Sequence, residues 1–173
     1  NVERILDLCT GSGCIAIACA YAFPEAVIDA VDISSQALEV AEVNQRRHQL
    51  QDQLHLIQSD CWEQLPHRCY DIIVSNPPYV GDEEMATLPP EFRHEPELAL
   101  RSQENGLAIV SKILQQAHYY LAEHGILVVE VGNSEEALVE AYPDLDFLWL
   151  EFEHGGQGVF LLTYDQLHHY LGK

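Results

Sequence analysis

At 173 residues the chain is one domain's worth of polypeptide, 47% hydrophobic and 21% charged, enough for a single substantial core. Eight Lys and Arg against 28 Asp and Glu give a formal charge of -20, which repels phosphate backbones and anionic membrane surfaces and attracts basic proteins. No basic segment leads into an apolar one as in a secretory signal, and the longest apolar run, residues 15 to 23, is about half a bilayer span.

Strand and helix signals alternate along most of the chain, which predicts an α/β domain on a largely parallel sheet. "RILDLC" reads as a short buried strand ending near Asp7. "GCIAIACAYAF" reads as a helix whose small residues require close packing on that sheet. "AVIDAVDI" is the second strand, closing at Asp32, and Ser34 or Ser35 is placed to cap the helix "SQALEVAEVNQRRHQL". "LHLIQSD" and "YDIIVSN" supply the third and fourth strands. A polar stretch, "GDEEMATLPPEFRHEPELALRSQEN", follows, and its three prolines rule out one continuous helix. Leu107, Val110, Ile113, Leu114, Ala117 and Leu121 form one stripe of the next helix, and "GILVVEV" is the fifth strand. Asn133, with Glu136 three residues on, is the expected cap of a short helix running to Tyr142. The alternation then breaks. "DFLWLEFE" and "GVFLLTYD" are separated only by "HGGQG", too short for a crossover helix, so these two strands are expected to be antiparallel neighbours.

Five cysteines (Cys9, Cys14, Cys19, Cys61, Cys69) show no C-x-x-C spacing, and the nine histidines show no H-E-x-x-H or helical i, i+4 pairing. The expectation is reduced thiols, a cytoplasmic setting and no bound metal.

The chemistry-bearing residues cluster at strand ends. In "DLCTGSG", Asp7, Gly11 and Gly13 stand where the first strand turns into a helix, and glycines there admit close approach of a ligand. Ala16 occupies the third-glycine position of the dinucleotide fingerprint, which tolerates Ala, so a phosphate and a phosphate-free nucleoside both remain open. Asp7 is available to receive a positive group. Asp32 ends the second strand, where an acid binds both hydroxyls of a ribose. In "SDCWE", Asp60 is placed to accept from an adenine amino group and Trp62 to stack on the base. At the end of the fourth strand, "SNPPYV" offers the Asn76 carboxamide oxygen and the Pro77 carbonyl, two acceptors for a substrate –NH2, with Tyr79 as a ring to lie on a planar group. Such nitrogens are poor nucleophiles, so orientation and preorganised dipoles carry the reaction. An adenosine-bearing electrophile with a positive centre points to S-adenosylmethionine.

"DLCTGSG", "DIS" and "SNPPYV", in that order, resemble the class I S-adenosylmethionine-dependent methyltransferases acting on planar nitrogens. "EFRHEPELAL", "NGLAIVSKIL" and "EVGNS" resemble the protein-glutamine N(5)-methyltransferases, and the ending "WLEFEHGGQGVFLLT" is similar to the branch that methylates large-subunit ribosomal protein three. The resemblance implies a Rossmann-like, mainly parallel seven-stranded sheet with an antiparallel last strand and helices on both faces. It implies one catalytic domain over 1–173, and an upstream helical domain and hairpin that this chain does not carry. It also implies cofactor contacts from Asp7, Cys9, Thr10, Gly11, Ser12, Gly13, Asp32, Ile33, Asp60, Cys61, Trp62 and Asn76, with Cys9 standing where Gly is usual. Asn76, Pro77, Pro78 and Tyr79 would hold the substrate glutamine, with Asn76, Pro77 and Tyr79 catalytic. The partner implied is a basic ribosomal protein. Two alternatives stay open: the sister branch acting on release factors, and enzymes methylating the adenine amino group of DNA or RNA, which need a basic track that eight basic residues do not easily supply. "GGQ", Gly155 to Gln157, matches the release-factor target motif but lies in a predicted turn, where glycines supply the backbone angles.

Overall fold

A computed structural model describes residues 1–78, 107–153 and 155–171. Tyr79 and the polar stretch after the two prolines lie outside the described residues. Five strands run parallel: β1 (Arg4–Leu8), β2 (Val27–Asp32), β3 (Leu54–Gln58), β4 (Tyr70–Ser75) and β5 (Leu121–Glu130). Two more, β6 (Leu148–Leu150) and β7 (Val159–Thr163), complete a sheet of order β3-β2-β1-β4-β5-β7-β6. β4 lies beside β1 and, as expected, β7 is antiparallel to β6; it is antiparallel to its other neighbour, β5, as well.

The central strands read as near-continuous apolar runs because both faces are covered. Side chains alternate across the sheet. Ile5 joins one core with Ala16, Ile17 and Ala20 of α1 (Cys14–Ala22). Leu6 and Leu8 join the other, with Val110, Ile113 and Leu114 of α3 (Ala108–Tyr120). Between them in the chain, α2 (Ser35–Arg47) is capped by Ser34, whose Oγ accepts the Ala37 N–H at 3.2 Å. The helix α4 (Glu135–Ala141) contributes Leu138, and α5 (Tyr164–Leu171) Leu167, to the core that α3 covers. Below the strand ends, buried Asp29 accepts from the Tyr70 hydroxyl at 2.7 Å and meets His55 and Arg68. No helix among the described residues is long and apolar enough to cross a membrane.

Four expectations are corrected. The sixth strand covers only Leu148–Leu150, because Glu151, Phe152 and Glu153 are exposed beyond an edge strand with a single neighbour. The link to β7 is therefore residues 151–158, longer than "HGGQG" alone. Asn133 caps no helix: Gly132–Ser134 form a 3-10 turn, and Ser134 immediately precedes α4. β5 starts earlier than "GILVVEV", but its register with β4 breaks between Tyr70 and Ile72, where His124 takes a left-handed φ of 71°. Regular pairing resumes at Ile126. Finally, α5 was not foreseen at all.

Candidate functional site

The carboxyl ends of β1, β2, β3 and β4 converge, as parallel pairing requires, and the loops leaving them are tied together. After β1 the chain turns through Cys9 (φ 60°), Gly11 (φ 55°) and Gly13 (φ 81°) before α1 begins. The left-handed angles at Gly11 and Gly13 cost glycine nothing, whereas Cys9 adopts its angle with a side chain present. Thr10 N–H donates to Val31 O at 2.9 Å, fastening the turn to β2, and Asn44 of α2 donates to Ser12 O at 2.9 Å. A Cβ on Gly13 would lie 3.3 Å from Ala41 Cβ, so glycine there lets α2 pass close. A Cβ on Gly11 would meet no heavy atom within 4 Å. Open space faces the turn at that residue.

Asp32 organises this rim. Its Oδ2 accepts the Gly11 N–H at 2.8 Å and its Oδ1 the Ser34 N–H at 2.9 Å. Each oxygen keeps acceptor capacity, since an ionised carboxylate offers about four lone-pair sites. Beside it, Ile33 is 49% exposed and presents an apolar surface at the mouth of the crevice.

Asp7 has a different place from the one expected. It is fully buried and does not present its carboxylate to the crevice. Its Oδ2 accepts from Thr10 Oγ1 at 2.6 Å and Ala16 N–H at 3.0 Å, bracing the turn from below, while Oδ1 is buried without a partner. Burial pushes its pKa up to about 7; the Thr10 and Ala16 hydrogen bonds oppose this and the nearby Asp32 adds to it. Asp7 is a positioning residue.

The loop after β3 is fastened to the same rim. Ser59 N–H donates to Asp32 O at 3.0 Å, and Ser59 Oγ donates to Cys61 O at 2.9 Å. Asp60, with its side chain 44% exposed, pairs with Lys112 Nζ of α3 at 2.8 Å. The thiols of Cys9 and Cys61 interact: donation by Cys9, followed by burial, holds the Cys9 pKa well above the usual thiol value, and the same contact lowers that of Cys61. Trp62 corrects the sequence reading. Only 3% of it is exposed, its ring stacks on Tyr120 at 4.6 Å, and its Nε1–H donates to Lys112 O at 3.1 Å. It has no face left for a base and instead anchors the loop to α3. Neither Lys112 nor Asn44 was singled out from sequence, because lone polar residues on helices carry no pattern.

β4 closes the site. Ser75 is buried and its Oγ donates to Leu8 O at 2.7 Å, locking the last residue of β4 to the last of β1. The next residues therefore leave the sheet beside the glycine turn: Asn76 exposed, Pro77 buried, Pro78 half-buried. The arrangement suits a nucleoside-bearing group. Open space at Gly11, the two-oxygen acceptor Asp32 and apolar Ile33 lie on one side, and Asn76 and Pro77 follow the end of β4 on the other.

Residues 1–124 match the model of the methyltransferase small domain family. The chain is 50% identical over 167 residues to the ribosomal protein uL3 glutamine methyltransferase of Francisella tularensis, covering 96% of this chain and 53% of that protein. To the enzyme of the same description from Bordetella pertussis it is 49% identical over 167 residues, covering 96% and 56%. The chain thus spans about half the length of the curated relatives it matches. Among solved structures, a methyltransferase from Pyrococcus furiosus superimposes with a TM-score of 0.68 at 16% identity, over 95% of this chain and 76% of that one. A ribosomal protein L11 methylase from Lactobacillus delbrueckii subsp. bulgaricus gives 0.63 at 19%, over 94% and 69%. These two structures speak to the fold alone.

Proposed function

The chain belongs to the methyltransferase small domain family, and on that premise we propose that the full-length protein methylates the side-chain amide nitrogen of a glutamine in ribosomal protein uL3, with residues 1–173 as its catalytic domain. Similarity to two uL3 glutamine methyltransferases supports the choice of substrate. The observation that carries the chemistry is the Ser75–Leu8 lock, which sets Asn76 and Pro77 beside the open glycine turn.

Asp32 accepts from ribose hydroxyls, Ile33 covers one face of the adenine, and the half-exposed Asp60 carboxylate faces its amino group. Cys9 to Gly13 wrap the amino-acid end. When bound, S-adenosylmethionine supplies a methyl group on an electron-poor sulfonium. The Asn76 Oδ1 and the Pro77 carbonyl accept both N–H bonds of the glutamine amide, holding its nitrogen plane toward that methyl. Tyr79 completes the grip on the amide plane. Acceptors fixed beforehand cost no reorganisation as the nitrogen pyramidalises, which is where such a site gains rate. The acidic chain, at -20, favours a basic protein partner and disfavours nucleic acid. The reaction takes place in the cytoplasm.

The test is to incubate the full-length protein with methyl-labelled S-adenosylmethionine and, in parallel, uL3, a release factor or RNA. Label on a uL3 glutamine is expected. Label on the release factor or on RNA, with uL3 blank, would overturn the assignment.

A further inference from the structure

Resting on the function proposed above, we propose that residues 151–153 and 155–158, between β6 and β7, form the outer wall of the substrate cleft and read the polypeptide flanking the methylated glutamine. Phe152 takes an apolar side chain of that segment, and Glu151 and Glu153 take a basic one.

Strand register sets the position of the turn. Ser75 at the end of β4 pairs with Val129 of β5, and the next residue of β5, Glu130, pairs with Val159 at the start of β7. Val131 N–H then donates to Gly158 O at 2.7 Å, extending the row by one residue. Asn76 follows Ser75 directly, so it is level with Glu130 and Val159. The β7 arm of the turn stands two strand spacings from β4 and the β6 arm, which carries Phe152, three, ~10–15 Å away at the same end of the sheet. An extended peptide advances ~3.3 Å per residue. A segment with its glutamine at Asn76 and running across β5 and β7 toward β6 reaches Phe152 about four residues away.

The described residues of the turn are closely fitted at two points. Gly132 (φ 50°) and Gly158 (φ 69°) pack backbone to backbone, and a Cβ on Gly158 would fall 2.2 Å from Gly132 O. No side chain fits between the end of β5 and this turn. At the tip, Gly156 (φ 75°) lies under the Phe152 ring, which a Cβ there would meet at 2.7 Å. The glycine gives the ring a flat support, and Phe152 remains 54% exposed. Glu151 and Glu153 on either side are exposed as well. A supported, exposed aromatic ring between two carboxylates beside a substrate cleft has the composition of a contact that anchors an apolar residue and selects basic neighbours. Continuity with the Asn76 end of β4 identifies the occupant as the substrate chain.

The test compares Phe152→Ala, Phe152→Leu and the double variant Glu151→Gln/Glu153→Gln with the wild type, all in the full-length protein, using uL3 and S-adenosylmethionine. Phe152→Ala is expected to raise KM for uL3 ~10-fold or more, the usual effect of truncating an interface aromatic, with kcat and cofactor Kd unchanged. Phe152→Leu restores most of the loss. The Gln pair raises KM several-fold at low salt and hardly at high salt, as screening requires. A wild-type KM in Phe152→Ala, or equal losses in kcat and cofactor binding, would overturn the turn's role while leaving the proposed function intact. A wild-type protein that labels release factor and not uL3 would overturn the function, and this assignment with it.

Discussion

Asp32 and Gly11 are joined directly: the carboxylate that ends β2 accepts the backbone N–H of the glycine turn that ends β1, at 2.8 Å. One acid thus shapes the turn while keeping lone pairs free of the Gly11 and Ser34 contacts. Asp32→Ala is expected to weaken S-adenosylmethionine binding by ~1.5–3 kcal/mol, the range for hydrogen bonds to a charged group. Asp32→Asn, which keeps one acceptor oxygen, should lose less. Titration calorimetry on folded variants decides, and unchanged affinity in the Ala variant would remove Asp32 from the binding site.

Asn76 is exposed and sits past the end of β4, so its side chain contributes little to folding. Asn76→Ala in the full-length protein should keep its melting temperature and most of its cofactor affinity. Methyl transfer should fall ~10²–10³-fold, the cost of losing one preorganised partner of the reacting group. A well-folded variant with near-normal turnover would show that the residue only makes the turn.

Trp62 gives the opposite pattern. Being buried against Tyr120 and α3, it should cost ~3–5 kcal/mol of stability on change to Ala. Trp62→Phe should keep most of the packing and lose the Lys112 hydrogen bond. Denaturant unfolding measures both. If Trp62→Ala left stability intact but abolished cofactor binding, the ring would belong to the crevice after all.

Asp7 makes stability depend on pH. Burial raises its folded pKa to about 7 against 3.8 for an ordinary Asp, so the folded state favours the protonated carboxyl. The stability gained is full below the unfolded value and is lost as pH rises through about 7. Measured against Asp7→Asn, which cannot ionise, the wild type should lose melting temperature between about pH 4 and pH 8. A difference that stays constant over that range would mean that Asp7 is charged throughout.

Sequence periodicity was most informative where burial is two-sided. The parallel strands and the small-residue stripe of α1 were readable because both periods persist over several residues. Asp32 and Asn76 were legible as strand-end residues, where such sheets bind ligands: Asp32 closes β2 and Asn76 directly follows β4. Trp62 misled because an aromatic after a strand looks the same whether it packs inward or lines a crevice; only its neighbours on α3 decide. Asp7 misled for the same reason, since the alternation that places it on the α1 face also buries it. α5 did carry a signal that went unread. Thr163 and Gln166 form a capping box, with Gln166 N–H on Thr163 Oγ1 at 3.3 Å and Thr163 N–H on Gln166 Oε1 at 2.8 Å. Asn133 appeared to offer a similar box, but the left-handed Gly132 diverts the chain into a 3-10 turn first.

The insertion of β7 between β5 and β6 bears on how the protein is made. A nascent chain that has not yet delivered residues 159–163 has β5 with one unpaired edge and β6 with no partner in the sheet. Val128, Val129 and their neighbours then present open N–H and C=O groups on an apolar strand, a template for pairing with another chain. Ordering the carboxyl end of β5 waits on β7, so products truncated before residue 159 should be recovered as aggregates rather than as soluble protein.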